Sequence, residues 1–318
     1  MKTIVLIPTK NEEWILESTL KNTAPYVDFI IVADQKSTDK TVEICKRFPN
    51  VRIIDNPYEG HSNKVRWLLL DESRKISPDG HNLIICIDAD EMISPKAIEA
   101  VKNISMESNA TAGNVFRFKW IQLWKNVNQY RDDGVWKDNF KNIAFVDNKG
   151  VNEYRKEFII NDHTTRVPDT NIHKVIDIPY PLLHFHFVAW KRNQMKQCWY
   201  RCSELVEGLR NAKRINNTYR VTLMPERLIC QPVLKEWTEG LIMPENLENI
   251  SSSWHLQSIL EFFDKYGIDF FEELQIWHVQ ELHDEFVKRV GREPVSKVYP
   301  AWLVTLNEVK NKIRNFRF

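Results

Sequence analysis

Two hydrophobic rhythms alternate through the first part of the chain. Short runs rich in Ile and Val are each followed by a stretch whose apolar residues recur three and four positions apart. Lys2–Pro8 predicts a first strand, and Trp14, Ile15 and Leu20 a helix behind it. Thr9 or Asn11 can cap that helix, and Glu12 and Glu13 suit the positive end of its dipole. Asp28–Asp34 predicts a second strand, with a helix near Thr41–Phe48, and Val51–Asp55 a short third one. Asn63–Ser73 reads as a helix with Val65, Leu68 and Leu69 inward. Asn82–Ile87, after the turn Pro78-Asp79-Gly80, reads as a strand with both faces buried. Strands and helices alternating at this spacing predict an α/β fold, a doubly wound and mainly parallel sheet with right-handed connections.

The later pattern differs. Gly113–Trp124 predicts a long strand, and Leu182–Phe187 another. From Ala189 onward the period is helical: Trp190–Asn216 reads as one long amphipathic helix, with further helices at Trp254–Tyr266 and Glu272–Val290. Trp302, Leu306, Val309 and Ile313 make a last apolar stripe. The expected division is a sheet domain over 1–189 and a mostly helical C-terminal region over 190–318. Cys198 and Cys202 have a spacing that suits a zinc pair, but they lie in the apolar stripe of the first of these helices. No second ligand pair follows, which favours core packing.

Composition narrows the function classes. Of 318 residues, 43% are hydrophobic, enough for a substantial core, and a net charge of +1 argues against a general nucleic-acid surface. No apolar run is long enough to cross a bilayer, and the apolar start is too short for a signal peptide. Five cysteines without framework spacing point to a reducing compartment, so a cytoplasmic location is expected. Membrane contact is expected to be at most peripheral, through the basic C-terminal helix carrying Lys310, Lys312, Arg314 and Arg317. Neither a Gly-x-Gly-x-x-Gly turn nor a Gly-x-x-x-x-Gly-Lys-Ser/Thr loop is present, which disfavours dehydrogenases and P-loop kinases.

Chemistry concentrates at the strand ends. The buried strand at 82–87 runs into Asp88-Ala89-Asp90, and acids at the carboxyl end of a central strand sit where open α/β sheets bind ligands. Strand alternation would point Asp88 and Asp90 to one side, where two hard oxygen donors suit Mg²⁺ or Mn²⁺. His184 and His186 likewise alternate with aromatics, so both would face one way; one is expected to reach the ion, His184 first. Trp124, Tyr130, Arg131, Asp132, Asp133 and Trp136 make a loop of aromatics and acids that suits a sugar.

Ile7–Glu13, Val32–Thr41 and Ile87–Glu91, in that order and each at a strand end, resemble a family 2 glycosyltransferase of the GT-A fold. The resemblance is close over the first third and loose over the middle third. It implies that Asp34 contacts the nucleotide base, that Thr9 and Glu12 line the nucleotide pocket, and that Asp88 and Asp90 meet ribose and metal. His61–Arg66 resembles the family's basic stretch near the nucleotide, with Lys64 and Arg66 both open as the contacting residue. Asp162 lies about where the family has its catalytic carboxylate, with Asp132 and Asp133 behind it. A late His of such enzymes, here His184 or His186, binds the ion. The implied reaction moves a sugar from a nucleotide-diphosphate sugar, a UDP-sugar first among them, to a hydroxyl of a glycan or other acceptor, with inversion and with Mn²⁺ or Mg²⁺. The chain departs from the family at Asp34-Gln35-Lys36-Ser37, where Asp-Asp/Asn-Gly/Asn-Ser is usual. Two alternatives stand beside this reading: a sugar nucleotidyltransferase, and a non-catalytic carbohydrate-binding or scaffold protein that kept the fold.

Overall fold

The computed structural model describes residues 1–58, 62–77, 81–107, 109, 111–148, 166–168, 171–223, 228–250 and 253–295. These form two compact units, one of residues 1–189 with 229–249, the other of residues 190–228 with the chain from 250 onward.

The first unit is built on a sheet with eleven strands among the described residues. β1 (Lys2–Thr9), β2 (Phe29–Asp34), β3 (Val51–Asp55) and β4 (Asn82–Cys86) run parallel, in the order β4-β1-β2-β3. Alternate residues of β1 enter two different cores. Val5 and Ile7 pack with α1 (Glu13–Thr23), α2 (Thr41–Lys46) and α4 (Pro95–Glu107), through Leu16, Leu20, Ile44, Ile98 and Val101. Ile4 and Leu6 pack with α3 (Lys64–Ile76) through Val65, Leu69 and Leu70. A parallel strand covered on both faces therefore reads as an unbroken apolar run rather than an alternating one.

The sheet continues past β4 with antiparallel strands. β8 (Phe140–Asp147) pairs β4, and β6 (Asn114–Trp124) pairs β8. β6 spans both halves of the sheet: it also pairs β7 (Asn126–Arg131), β9 (Lys174–Asp177) and β10 (Leu182–Phe187). Gly113 makes its entry possible: at φ 82 a Cβ there would lie 2.3 Å from the Asn171 carbonyl oxygen. β5 (Glu91–Ile93) is the other neighbour of β10, so β10 lies between β5 and β6. The edge is β11 (Cys230–Pro232) on β7, followed by α7 (Lys235–Thr238). Val233, Trp237 and Leu241 pack with Ile15, Met92, Leu183 and Phe185, so residues 229–249 return to the first unit.

The second unit is helical: α5 (Trp190–Val206), α6 (Ala212–Thr218), α8 (Ser253–Tyr266) and α9 (Gln280–Val290). Cys198 and Cys202 lie in its core with Ile259, Phe263 and Phe286, as the stripe predicted. Burial pushes the Cys198 thiol up to about 12, the behaviour of an inert core sulfur. The long helix expected over Trp190–Asn216 is broken. Gly208 takes φ 67, Leu209 is 64% exposed rather than in the stripe, and Asn211 caps α6 by accepting from the Arg214 N–H at 3.0 Å. The helix expected from Glu272 begins only at Gln280. The stripe from Trp302 and the basic C-terminal residues lie outside the described residues.

Candidate active site

β1 and β2 end side by side, with Thr9 in register with Asp34. The turns that follow are tied together. Asn11 N–H donates to Ser37 Oγ at 2.8 Å, Asn11 Oδ1 accepts from Thr38 N–H at 2.7 Å, and Glu12 N–H donates to Thr41 Oγ1 at 2.9 Å. Asn11 thus anchors the neighbouring turn and does not cap α1, whose cap position is Glu12 with no side-chain capping bond. The Glu12 carboxylate accepts from Trp14 Nε1. Asp34 Oδ2 accepts from the Ser37 N–H at 3.0 Å. Lys36, where the family usually has Gly or Asn, holds a left-handed φ of 54.

The Asp-Ala-Asp segment is not extended. β4 stops at Cys86, and the Glu91 N–H donates to the Asp88 carbonyl at 3.0 Å, closing a turn. Strand alternation therefore does not apply there, and the two acids meet different partners. Asp88 accepts from Arg66 Nη2 at 2.6 Å and from Arg166 Nη2 at 2.7 Å. Its own desolvation pushes the carboxyl up, but the Arg166 and Arg66 guanidiniums override that and hold it at about 2. Lys64 points elsewhere, its ammonium lying 5.8 Å from the Tyr58 ring centroid.

Asp90 faces the histidines. Oδ1 lies 3.4 Å from His184 Nε2 and Oδ2 lies 3.5 Å from His186 Nδ1. One ligand atom from each of Asp90, His184 and His186 falls within 4.8 Å of the others, so both rings reach the acid. Two ligands bonded to one ion at about 2.1 Å can be no more than about 4.2 Å apart, so a small closing motion would complete the set. This is a mixed donor set: the carboxylate oxygen suits a hard ion such as Mn²⁺, and the two imidazole nitrogens suit a softer one such as Zn²⁺.

Around this lies a frame the sequence pattern did not single out. Glu91, fully buried, accepts from Trp120 Nε1 at 2.8 Å, from the Asp88 N–H at 2.9 Å and from Arg166. Gln122, 1% exposed, bonds His184 Nδ1 at 2.7 Å. Lys141 holds its ammonium 5.0 Å from the Trp120 ring centroid. Burial lowers its pKa, the charge of Arg166 adds to that, and Glu91 and Asp88 oppose it. Gln122 carries one legible signal, an amide side chain within the apolar run Trp120–Trp124, whereas Glu91 directly follows Asp88-Ala89-Asp90 and carries no such signal. Arg166 and Lys141 carried none, since isolated basic residues are ordinary surface.

Of the proposed bases, Asp133 is engaged by Arg131 and by the Ile229 N–H at 3.3 Å. Asp132 follows the end of β7, its N–H donating to the Ile229 carbonyl at 2.8 Å. Asp162 and His61 lie outside the described residues. The aromatic loop folds onto the site: Trp136 stacks on Trp120 at 5.2 Å, and Trp120 on His184 at 4.5 Å.

Residues 4–156 match the family described as glycosyl transferase family 2. No curated protein matches the chain. Among solved structures, glucosyl-3-phosphoglycerate synthase from Mycobacterium tuberculosis, in complex with Mn²⁺, uridine diphosphate and phosphoglyceric acid, is 23% identical. That match has a TM-score of 0.29 and covers 38% of this chain and 43% of that one. 4-Diphosphocytidyl-2C-methyl-D-erythritol synthase is 17% identical, with a TM-score of 0.32, covering 46% of this chain and 73% of that one. A mycobacterial protein is 21% identical, with a TM-score of 0.30, covering 43% and 44%. The chain spans under half the length of the synthase it resembles.

Proposed function

We propose that this chain, whose residues 4–156 match the family described as glycosyl transferase family 2, moves a sugar from a nucleotide-diphosphate sugar to an acceptor hydroxyl, with a divalent ion at Asp90, His184 and His186. The observation that carries this is the convergence of those three ligands beside a cluster of basic groups. An ion bound there would supply positive charge against the leaving diphosphate.

The chain's own residues account for the rest. Asp34 Oδ1 and Thr9 Oγ1 are both buried and have no hydrogen-bond partner among the described residues. Two such oxygens at adjacent strand ends suit a ligand with N–H or O–H donors, which a nucleobase such as uracil supplies. Arg66 and Arg166 sit ready to pass from Asp88 to phosphate oxygens when Asp88 takes up the ribose. Burial of Glu91 and Trp120 keeps water from that edge. A carboxylate must accept the acceptor's proton; Asp162 and Asp132 are the candidates, since Asp133 is committed to Arg131. Inversion is expected of a single displacement.

The experiment is a panel of nucleotide-diphosphate sugars incubated with and without Mn²⁺. Release of nucleoside diphosphate that depends on the metal is the expected result. Release of inorganic pyrophosphate would overturn the reading in favour of nucleotidyl transfer, and binding without turnover in favour of a lectin-like role.

A further inference from the structure

β10 carries His184 between two neighbours. In the antiparallel pairing with β5 its register partner is Glu91, and in the parallel pairing with β6 it is Gln122. Directly paired residues project to one face of a sheet, so Glu91, His184 and Gln122 form a row across three strands.

Gln122 is clamped at its nitrogen end. Its Nε2 donates to the Leu123 carbonyl at 3.0 Å and to the His184 carbonyl at 3.3 Å. Two carbonyl acceptors leave no choice over which end of the amide is nitrogen, so Oε1 is the atom that meets His184 Nδ1 at 2.7 Å. An amide oxygen only accepts. Nδ1 must therefore hold the ring proton, and the neutral ring presents the Nε2 lone pair to Asp90. Lone pair and carboxylate oxygen repel at 3.4 Å unless Nε2 takes up a second proton or a metal cation lies between them.

We infer that Gln122 is the positioning residue of the site: it fixes His184 in the Nδ1–H tautomer and so prepares Nε2 as a ligand for a divalent ion shared with Asp90 and His186. This rests on the metal reading above. Trp120 stacks on the same ring at 4.5 Å and restricts its rotation, leaving the tautomer to Gln122. Gln122 touches neither the ion nor substrate and acts through His184 alone.

Two measurements test it. The first is ¹⁵N chemical shifts of the His184 ring in the metal-free wild-type protein at pH 8. The expected neutral form carries its proton on Nδ1; a proton on Nε2 overturns the inference, whether or not the protein binds metal. The second is titration of Mn²⁺ alone, read by the electron paramagnetic resonance of the free ion, on wild type, Gln122→Leu and Gln122→Glu. Gln122→Leu should weaken Mn²⁺ binding about 10- to 100-fold, the usual effect of losing such a partner. Gln122→Glu, whose buried carboxyl in its neutral form keeps an acceptor at Nδ1 and an O–H donor for the Leu123 and His184 carbonyls, should restore it. Undiminished affinity in Gln122→Leu overturns the inference, as does equal loss in both variants, which marks packing alone. Failure of wild type to bind Mn²⁺ sinks the metal reading instead.

Discussion

Thr9 and Asp34 lie opposite one another across β1 and β2, and each has a buried side-chain oxygen without a hydrogen-bond partner among the described residues. An unpaired buried acceptor costs about 1–3 kcal/mol, which a bound ligand can recover. Asp34→Ala is therefore expected to raise KM for the nucleotide sugar at least tenfold while changing kcat less than threefold, because the base lies away from the reacting carbon. Steady-state kinetics at saturating donor checks this, and a collapsed kcat with normal KM would refute the role.

Asp90→Ala should abolish Mn²⁺ binding and metal-dependent transfer and leave the far-ultraviolet circular dichroism unchanged. Without metal, its melting temperature should change little, since Asp90 repels Asp88 but attracts Arg166. Differential scanning calorimetry with and without Mn²⁺ gives both answers.

Lys36 offers a test of backbone strain. A β-carbon at φ 54 is disfavoured, and Lys36 is exposed. Lys36→Asn, which tolerates the left-handed region, should stabilise the protein by about 0.5–1 kcal/mol in urea unfolding. A loss of stability would mean that the lysine side chain makes a contribution greater than the strain.

Glu91→Ala should be the most damaging of these changes. It leaves Trp120 Nε1 without its buried acceptor and takes from Arg166 one of its two acid partners, Asp88 remaining, for a cost of about 3 kcal/mol. Chemical unfolding should show it, and Asp88 should lose its fixed position with it, since the Asp88 N–H also bonds Glu91.

Acid stability follows from Asp88. Its carboxyl is held at about 2 against an ordinary 3.8, so ionisation favours the folded state. That contribution is full above about pH 4 and fades as the pH falls towards 2. With a third of the side chain exposed, about 1–2 kcal/mol is the expected size. Asp88→Asn should accordingly be less stable than wild type at pH 6, and the gap should close near pH 2.

The sequence made the parallel half of the sheet plain, because strands covered on both faces write themselves as Ile- and Val-rich runs. Asp34, Asp90, His184 and His186 stand out as candidates for a related reason: polar groups that end or interrupt such runs are not explained by packing. What escaped was set by contacts between distant segments. Arg166 reaches Asp88 across 78 positions, and no local period encodes that. The facing of Asp88 was misjudged because the strand ends two residues before it, where alternation no longer applies. Gly208 broke the long helix at a point where the apolar stripe alone gave no warning.

The return of residues 229–249 to the sheet bears on how this protein can be trimmed. Cutting after Ala189 would appear to free a tidy nucleotide-binding half. It would instead strip β11 from β7, leaving an open strand edge ready to pair with another chain. Tyr130 would lose Trp237, stacked at 5.3 Å. Asn22, 2% exposed, would lose both bonds to the Ile242 backbone and keep that from Nδ2 to the Ser18 carbonyl at 2.8 Å. Such a fragment is expected to aggregate, and a soluble one would have to keep residues 229–249.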